Sequence, residues 1–359
     1  MLKNRSQTAD DTTRRDDPRP QAAAEREGRA PTEEPAGTKR SRSLATWQLA
    51  ILLAIVVAVA VALLAPEFFQ SRNLVNVSRQ ASIIGVVAVG MTIVILTGGI
   101  DLSVGSTLAL STVSVAVLVN GGLPMPLALP AAVLVGAAAG LLNGLGVAYL
   151  RIQPFVMTLA TMVAVRGVAL RITDGGPRLF TSESPIVDFF GSGRTLGIPG
   201  PFIVFVVVAA IGWVVLRYTT FGRYIYALGG SAEAARLSGV PIAWTTVRAY
   251  VLSGALAGLA GFMTAARLSV GDPSGGSLLE LDAIAAVVIG GTSLAGGVGG
   301  MVGTLLGALL LAIVSNVMNL MGVSPFDQYV VKGALIVFAV LVGAQAARRR
   351  AVAGRRSSG

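Results

Sequence analysis

The chain of 359 residues contains no cysteine and no histidine. Without cysteine there are no disulfides, no thiolate nucleophile and no thiolate metal site. Without histidine the commonest general base and the commonest transition-metal ligand are gone. Carboxylates and serines remain, but no nucleophile–base pair can be assembled from them by pattern, so a membrane enzyme is the weakest reading. No cofactor is expected. Charge is the third scarcity: only 13% of residues are Asp, Glu, Lys or Arg, about half of what a soluble domain carries. Residues 1–46 hold 18 of these and residues 348–359 hold five arginines, which leaves 23 for the 301 residues between. Such a stretch cannot coat a water-soluble globule, and the chain reads as polytopic in a bilayer.

What is abundant agrees. The composition is 53% apolar with a mean hydropathy of +0.74. A hydrocarbon core about 30 Å thick takes roughly 20 apolar residues of helix. Spans are predicted over 47–65, 80–97, 103–120, 127–149, 154–172, 201–217, 245–267, 281–295, 298–320 and 327–345, the eighth short enough to be a broken or partial one. The fold class is therefore all-α, with about ten transmembrane helices in one membrane domain over 47–345. Residues 1–46 alternate acids and bases around Pro18, Pro20, Pro31 and Pro35 and offer almost nothing apolar to bury, as in a disordered tail. Residues 346–359 form a basic tail.

The net charge of +10 lies in arginines at the ends and in short loops. It orients the chain against a membrane rather than binding nucleic acid, because no basic stripe with interleaved aromatics occurs. With Lys39, Arg40 and Arg42 inside, Arg151, Arg217, Arg223, Arg236 and Arg248 fall on the same side, as do Arg348 to Arg350. Eight of the ten acids between the tails then face outward. Both termini come out cytoplasmic, as an even number of spans requires.

Glycine numbers 44. Gly136, Gly140 and Gly144, and again Gly254 and Gly258, repeat every fourth residue and so mark one face of a helix. Small faces of this kind let helices approach closely in lipid, either inside the chain or across a dimer seam.

Three constellations carry function. Gly98-Gly99-Ile100-Asp101-Leu102-Ser103-Val104-Gly105-Ser106 sets a carboxylate beside hydrocarbon, where it is expensive. Asp101 or Ser103 can cap the following helix, or the whole can be a broken-helix turn on a translocation path, where irregular backbone is tolerated. The run Gly290 to Gly300 holds six glycines, yet no Lys or Arg occurs between Arg267 and Lys332 and no G-x-x-x-x-G-K-[ST] pattern occurs anywhere. ATP is not bound here in the P-loop manner; the run reads as a flexible turn. The third lies in the cytoplasmic segment 218–244, where Ser231 is a good N-cap, Glu233 falls in the first turn, and Gly239 with Pro241 stops the helix. A helix of about two turns is too short to stand alone in water and needs a surface to dock on.

Together these three motifs, with Ala227-Leu228-Gly229 and Ala234-Ala235-Arg236-Leu237-Ser238-Gly239-Val240 around the short helix, resemble the membrane permeases of bacterial ABC importers. The branch they resemble takes up ribose, xylose, galactose and related monosaccharides. The resemblance covers 47–345 and implies an ABC ATPase subunit, an extracytoplasmic solute-binding protein and a second permease subunit as partners in the bacterial plasma membrane. It implies that Ser231, Glu233, Ala234, Ala235, Arg236 and Gly239 form a coupling helix seated on the ATPase. Glu233-Ala234-Ala235 and Gly239 match the start of the wider importer signature, although its apolar-Pro ending is not met at the usual distance. It also implies that the turn of Gly98, Gly99, Asp101, Ser103 and Gly105 lies near the translocation path. Asn143, Gln153, Phe155 and Asn316 are candidates to touch sugar in transit. The alternatives are a branched-chain amino-acid permease of the same superfamily and an ion-coupled secondary transporter.

Overall fold

The computed structural model describes residues 55–64, 67–182, 184–337 and 341. The chain separates into Met1–Arg40, which lies outside the described residues, and Ser41–Gly359, to which every element below belongs. The predicted tails, 1–46 and 346–359, therefore lie outside the described residues.

The helices are α1 (Ile55–Leu64), α2 (Ser71–Leu96), α3 (Val104–Asn120), α4 (Met125–Ala148), α5 (Pro154–Thr173), α6 (Pro185–Phe190), α7 (Gly200–Tyr218), α8 (Thr220–Gly230), α9 (Ala232–Leu237), α10 (Ile242–Leu268), α11 (Leu279–Ile289), α12 (Met301–Leu320) and α13 (325–337). Each predicted span coincides at least in part with one of them. Among the described residues six helices (α2, α4, α5, α7, α10 and α12) are long and apolar enough to cross a membrane, and the chain is a multi-pass membrane protein. Four two-residue strands pair antiparallel, Arg178–Leu179 with Val270–Gly271 and Arg194–Thr195 with Ile198–Pro199.

Helix α2 is the centre. From Ile83 to Leu96 it is apolar on every side but for Thr92, and 83% of its most hydrophobic stretch is buried, against 22% for α5. An all-round apolar helix belongs in the middle of a bundle, and one with a single covered stripe belongs at its rim. Val86, Val87, Ala88, Met91, Val94 and Ile95 of α2 are each fully enclosed, with Tyr250 and Ala257 of α10 and Phe205 of α7 in the same apolar core. Leu134 and Leu142 on α4, Val163 on α5 and Ile211 on α7 are exposed, as lipid-facing residues are.

The glycine stripes settle between the two openings left by the pattern: they pack inside the chain. A Cβ on Gly136 would stand 2.8 Å from the Gly258 nitrogen, one on Gly140 2.9 Å from the Tyr250 carbonyl carbon, and one on Gly144 2.8 Å from the Val247 Cα. The backbones of α4 and α10 thus touch over three turns, which only glycine permits.

Two elements depart from expectation. Helix α2 begins at Ser71, not near 80, because Asn73, Asn76 and Gln80 extend it with a polar face. The eighth predicted span is a partial helix: α11 has 11 residues, about 16 Å of rise against a core of about 30 Å. It is preceded by a segment that runs along α3 rather than forming a simple outer loop. Gly271 lies against Thr112 and Ala116, the Thr112 hydroxyl donates to the Asp272 carbonyl at 3.2 Å, and Gly276 lies against Gly105. Arg166 of α5 meets this irregular backbone, its Nη1 donating to the carbonyls of Pro273 at 2.6 Å and Gly275 at 2.8 Å. Non-helical backbone at this depth is tolerated because protein groups satisfy it.

Candidate functional site

Three places bear on function. The first is a polar knot at Asp101. Its side chain is buried at 1% exposure in the turn between α2 and α3. Oδ1 accepts from the Ser103 amide at 3.0 Å, the Ser103 hydroxyl at 2.6 Å and the Asn143 amide at 3.4 Å; Oδ2 accepts from the Ser253 hydroxyl at 2.9 Å. Asn143 Nδ2 also donates to the Ser103 hydroxyl at 2.8 Å. One carboxylate therefore joins the starts of α3 and the cores of α4 and α10. Ser103 is the N-cap residue of α3 but makes no side-chain cap; the carboxylate of Asp101 folds onto the Ser103 amide instead. Gly99 is forced by packing, since a Cβ there would reach the Tyr250 hydroxyl at 2.5 Å. Gly98 takes φ +85°, open to glycine without strain.

The second place is the foot formed by α8 and α9. Ser231 caps α9 as expected, its hydroxyl accepting from the Ala234 amide at 3.2 Å. Gly239 turns the chain out at φ +77°. Ala235 is the buried anchor; Glu233, Ala234 and Arg236 are exposed, Glu233 and Arg236 pair at 2.7 Å, and Leu237 stands 79% exposed. Helix α8 was not anticipated. Thr219 caps it by accepting from the Gly222 amide at 3.1 Å, and Phe221, Ile225 and Leu228 sit on its packed face. Their spacing of four and three residues was the available signal.

The foot also meets α2 backbone to backbone. Gly229 lies against the Leu96 carbonyl and against Gly296 and Gly297; Gly296 in turn approaches Gly98, and the Gly297 amide donates to the Leu96 carbonyl at 3.0 Å. The glycine run between α11 and α12 is thus a stitched turn rather than a loose one: the Ser293 amide donates to the Val298 carbonyl at 2.8 Å and the Tyr226 hydroxyl to the Gly299 carbonyl at 3.0 Å.

The third place is a cavity of about 490 Å³ at the opposite end of α2. Asn73, Asn76 and Gln80 line it from α2, Asn316, Asn319 and Leu320 from α12, and Arg267 from the end of α10. Asn73 and Asn316 are buried and bonded reciprocally: Asn73 Nδ2 donates to Asn316 Oδ1 at 2.9 Å, and Asn316 Nδ2 to Asn73 Oδ1 at 2.6 Å. The i, i+3, i+7 spacing of the α2 amides puts them on one face, a signal missed because the span was placed from residue 80.

The four candidate sugar-contact residues do not converge. Asn143 belongs to the Asp101 knot. Gln153 and Phe155 are exposed at the start of α5. Asn316 lies in the amide cavity, and Asn73 opposite it is separated from Leu96, beside the knot, by about 35 Å of helix rise.

Comparison with known proteins supplies the family. Residues 73–340 match the family model described as branched-chain amino acid transport system / permease component. The chain belongs to this family of ABC-importer permeases. Among its relatives, the ribose import permease protein RbsC of Escherichia coli (strain K12) is 48% identical over 294 residues, 81% of this chain and 92% of that protein. The ribose import permease protein RbsC of Bacillus subtilis (strain 168) is 46% identical over 287 residues, 80% and 89% of the two chains. The xylose transport system permease protein XylH of Escherichia coli (strain K12) is 34% identical over 342 residues, 79% and 87%. No solved structure matches. The family is one of transport subunits rather than enzymes.

Proposed function

We propose that the chain is the membrane subunit of an ATP-driven importer for a monosaccharide, crossing the bacterial plasma membrane about ten times with both termini in the cytoplasm. The observation that carries this reading is the 48% identity to a ribose import permease across four-fifths of the chain. The internal geometry is compatible with it. An exposed, capped foot on the arginine-rich side is what a separate ATPase needs to push on, and an amide-lined cavity at the far end of α2 suits entry from the side of a solute-binding protein. ATP-driven closure of the ATPases would displace the feet of two permease subunits, and the helices would rock between outward-open and inward-open states. The binding protein would supply most of the selectivity.

The family description favours a second reading, a branched-chain amino acid as cargo. Reconstitution with the cognate ATPase and binding protein in vesicles separates the two. ATP-dependent uptake of radiolabelled ribose without uptake of leucine is the expected result; leucine uptake alone, or uptake driven by an ion gradient without the ATPase, overturns the proposal.

A further inference from the structure

The cavity between the start of α2 and the end of α12 has the chemistry of a site for a neutral, hydroxyl-rich solute. Its volume of about 490 Å³ falls within the roughly 300–1,000 Å³ of small-molecule sites. Five of its seven lining residues, Asn73, Asn76, Gln80, Asn316 and Asn319, are amides. A primary amide carries two donors and a two-lone-pair acceptor, so it matches a hydroxyl in either orientation.

Much of this capacity is unspent. Among the described residues the side chains of Asn76 and Gln80 have no hydrogen-bond partner. Asn319 accepts from Gln328 Nε2 at 2.7 Å and keeps both of its own donors. The Asn73–Asn316 pair, fixed from behind by donation from Asn73 to the Phe68 carbonyl at 2.9 Å, forms a rigid floor. The single charge is the Arg267 guanidinium, and no Asp or Glu lines the cavity. An amino acid would set its carboxylate on the Arg267 guanidinium, but no Asp or Glu lines the cavity to receive its ammonium group, and an aliphatic side chain would find Leu320 as its only apolar wall.

Resting on the importer reading above, we propose that this cavity is a substrate subsite of the permease itself, in which Asn76, Gln80, Asn319 and Arg267 bind the hydroxyls of a monosaccharide as it leaves the binding protein. The chain thereby adds its own discrimination for polyols over zwitterions.

The test uses the assembled transporter in vesicles with ribose as probe. The N76A/Q80A double variant is expected to lower ribose uptake at least tenfold with its yield in the membrane retained. Because the chain has no cysteine, Asn319→Cys gives a single label site. A high concentration of ribose, but not of leucine, is expected to slow its reaction with a water-soluble maleimide severalfold. Unchanged uptake in N76A/Q80A, or labelling of the cysteine at 319 that ribose leaves untouched, overturns the subsite; should N76A/Q80A fail to reach the membrane, the labelling result decides alone. Failure of the unsubstituted transporter to move ribose is a different outcome, since it overturns the importer reading rather than the subsite alone.

Discussion

The Asp101 carboxylate accepts a hydrogen bond from the Ser253 hydroxyl at 2.9 Å, across 152 residues of chain. That contact, with Asn143 beside it, makes a helix junction out of residues from α4, α10 and the turn before α3. Burial inside low-dielectric surroundings raises the cost of losing any one of its members.

Replacing Asp101 by Leu strands the Ser103 and Ser253 donors in a buried junction, each unsatisfied group costing about 1–3 kcal/mol. The thermal midpoint of the purified protein in detergent is expected to fall markedly, and that of Ser253→Ala, which removes one donor, by much less. Equal midpoints for Asp101→Leu and the parent would remove the knot from any account of stability.

Adjacent glycines in α8 provide an internal control. A Cβ at Gly229 meets the Leu96 carbonyl and the Gly297 amide, whereas a Cβ at Gly230 meets nothing within 4 Å. Gly229→Ala is expected to lower thermal stability and ATP-driven uptake together; Gly230→Ala is expected to leave the thermal midpoint within experimental scatter.

Reversal of charge at Glu233 removes an exposed pair worth roughly 0–1 kcal/mol, so Glu233→Lys should be inserted and folded normally. A bulky residue at Gly239 must adopt φ near +77°, a strain of about 1–2 kcal/mol. Both variants are expected to abolish uptake while membrane yield persists. Parental uptake rates in both would refute the docking role of the foot.

Arg166 holds the segment before α11 through two carbonyls. Arg166→Gln is expected to quicken amide hydrogen exchange over 272–278 in mass spectrometry, with exchange in α4 unaltered. Identical protection of that segment would mean its order comes from α3 alone.

Much of the helical plan was legible because apolar runs of membrane length carry their own signal. The cap at Ser231 and the glycine faces of α4 and α10 were legible for similar reasons: each is a local pattern with one physical meaning. Helix α8 was not, because eleven residues with one apolar face fall between the length of a span and that of a loop. The segment before α11 was illegible because nothing periodic reports how deep an irregular backbone lies. The Asp101 knot could be suspected from a lone carboxylate, but its partner Ser253 has no local signature, and the amide face of α2 was hidden by a boundary drawn nine residues late.

The contrast between α2 and α5 inverts the usual map of mutational tolerance. In a water-soluble protein the outer surface accepts polar exchange and resists grease; here the rim formed by Leu134, Leu142, Val163 and Ile211 should accept any aliphatic residue and reject ionic ones. The axial helix, touched on all sides by neighbours, has room for neither, so drift among descendants of this chain should be slowest between Ile84 and Leu96.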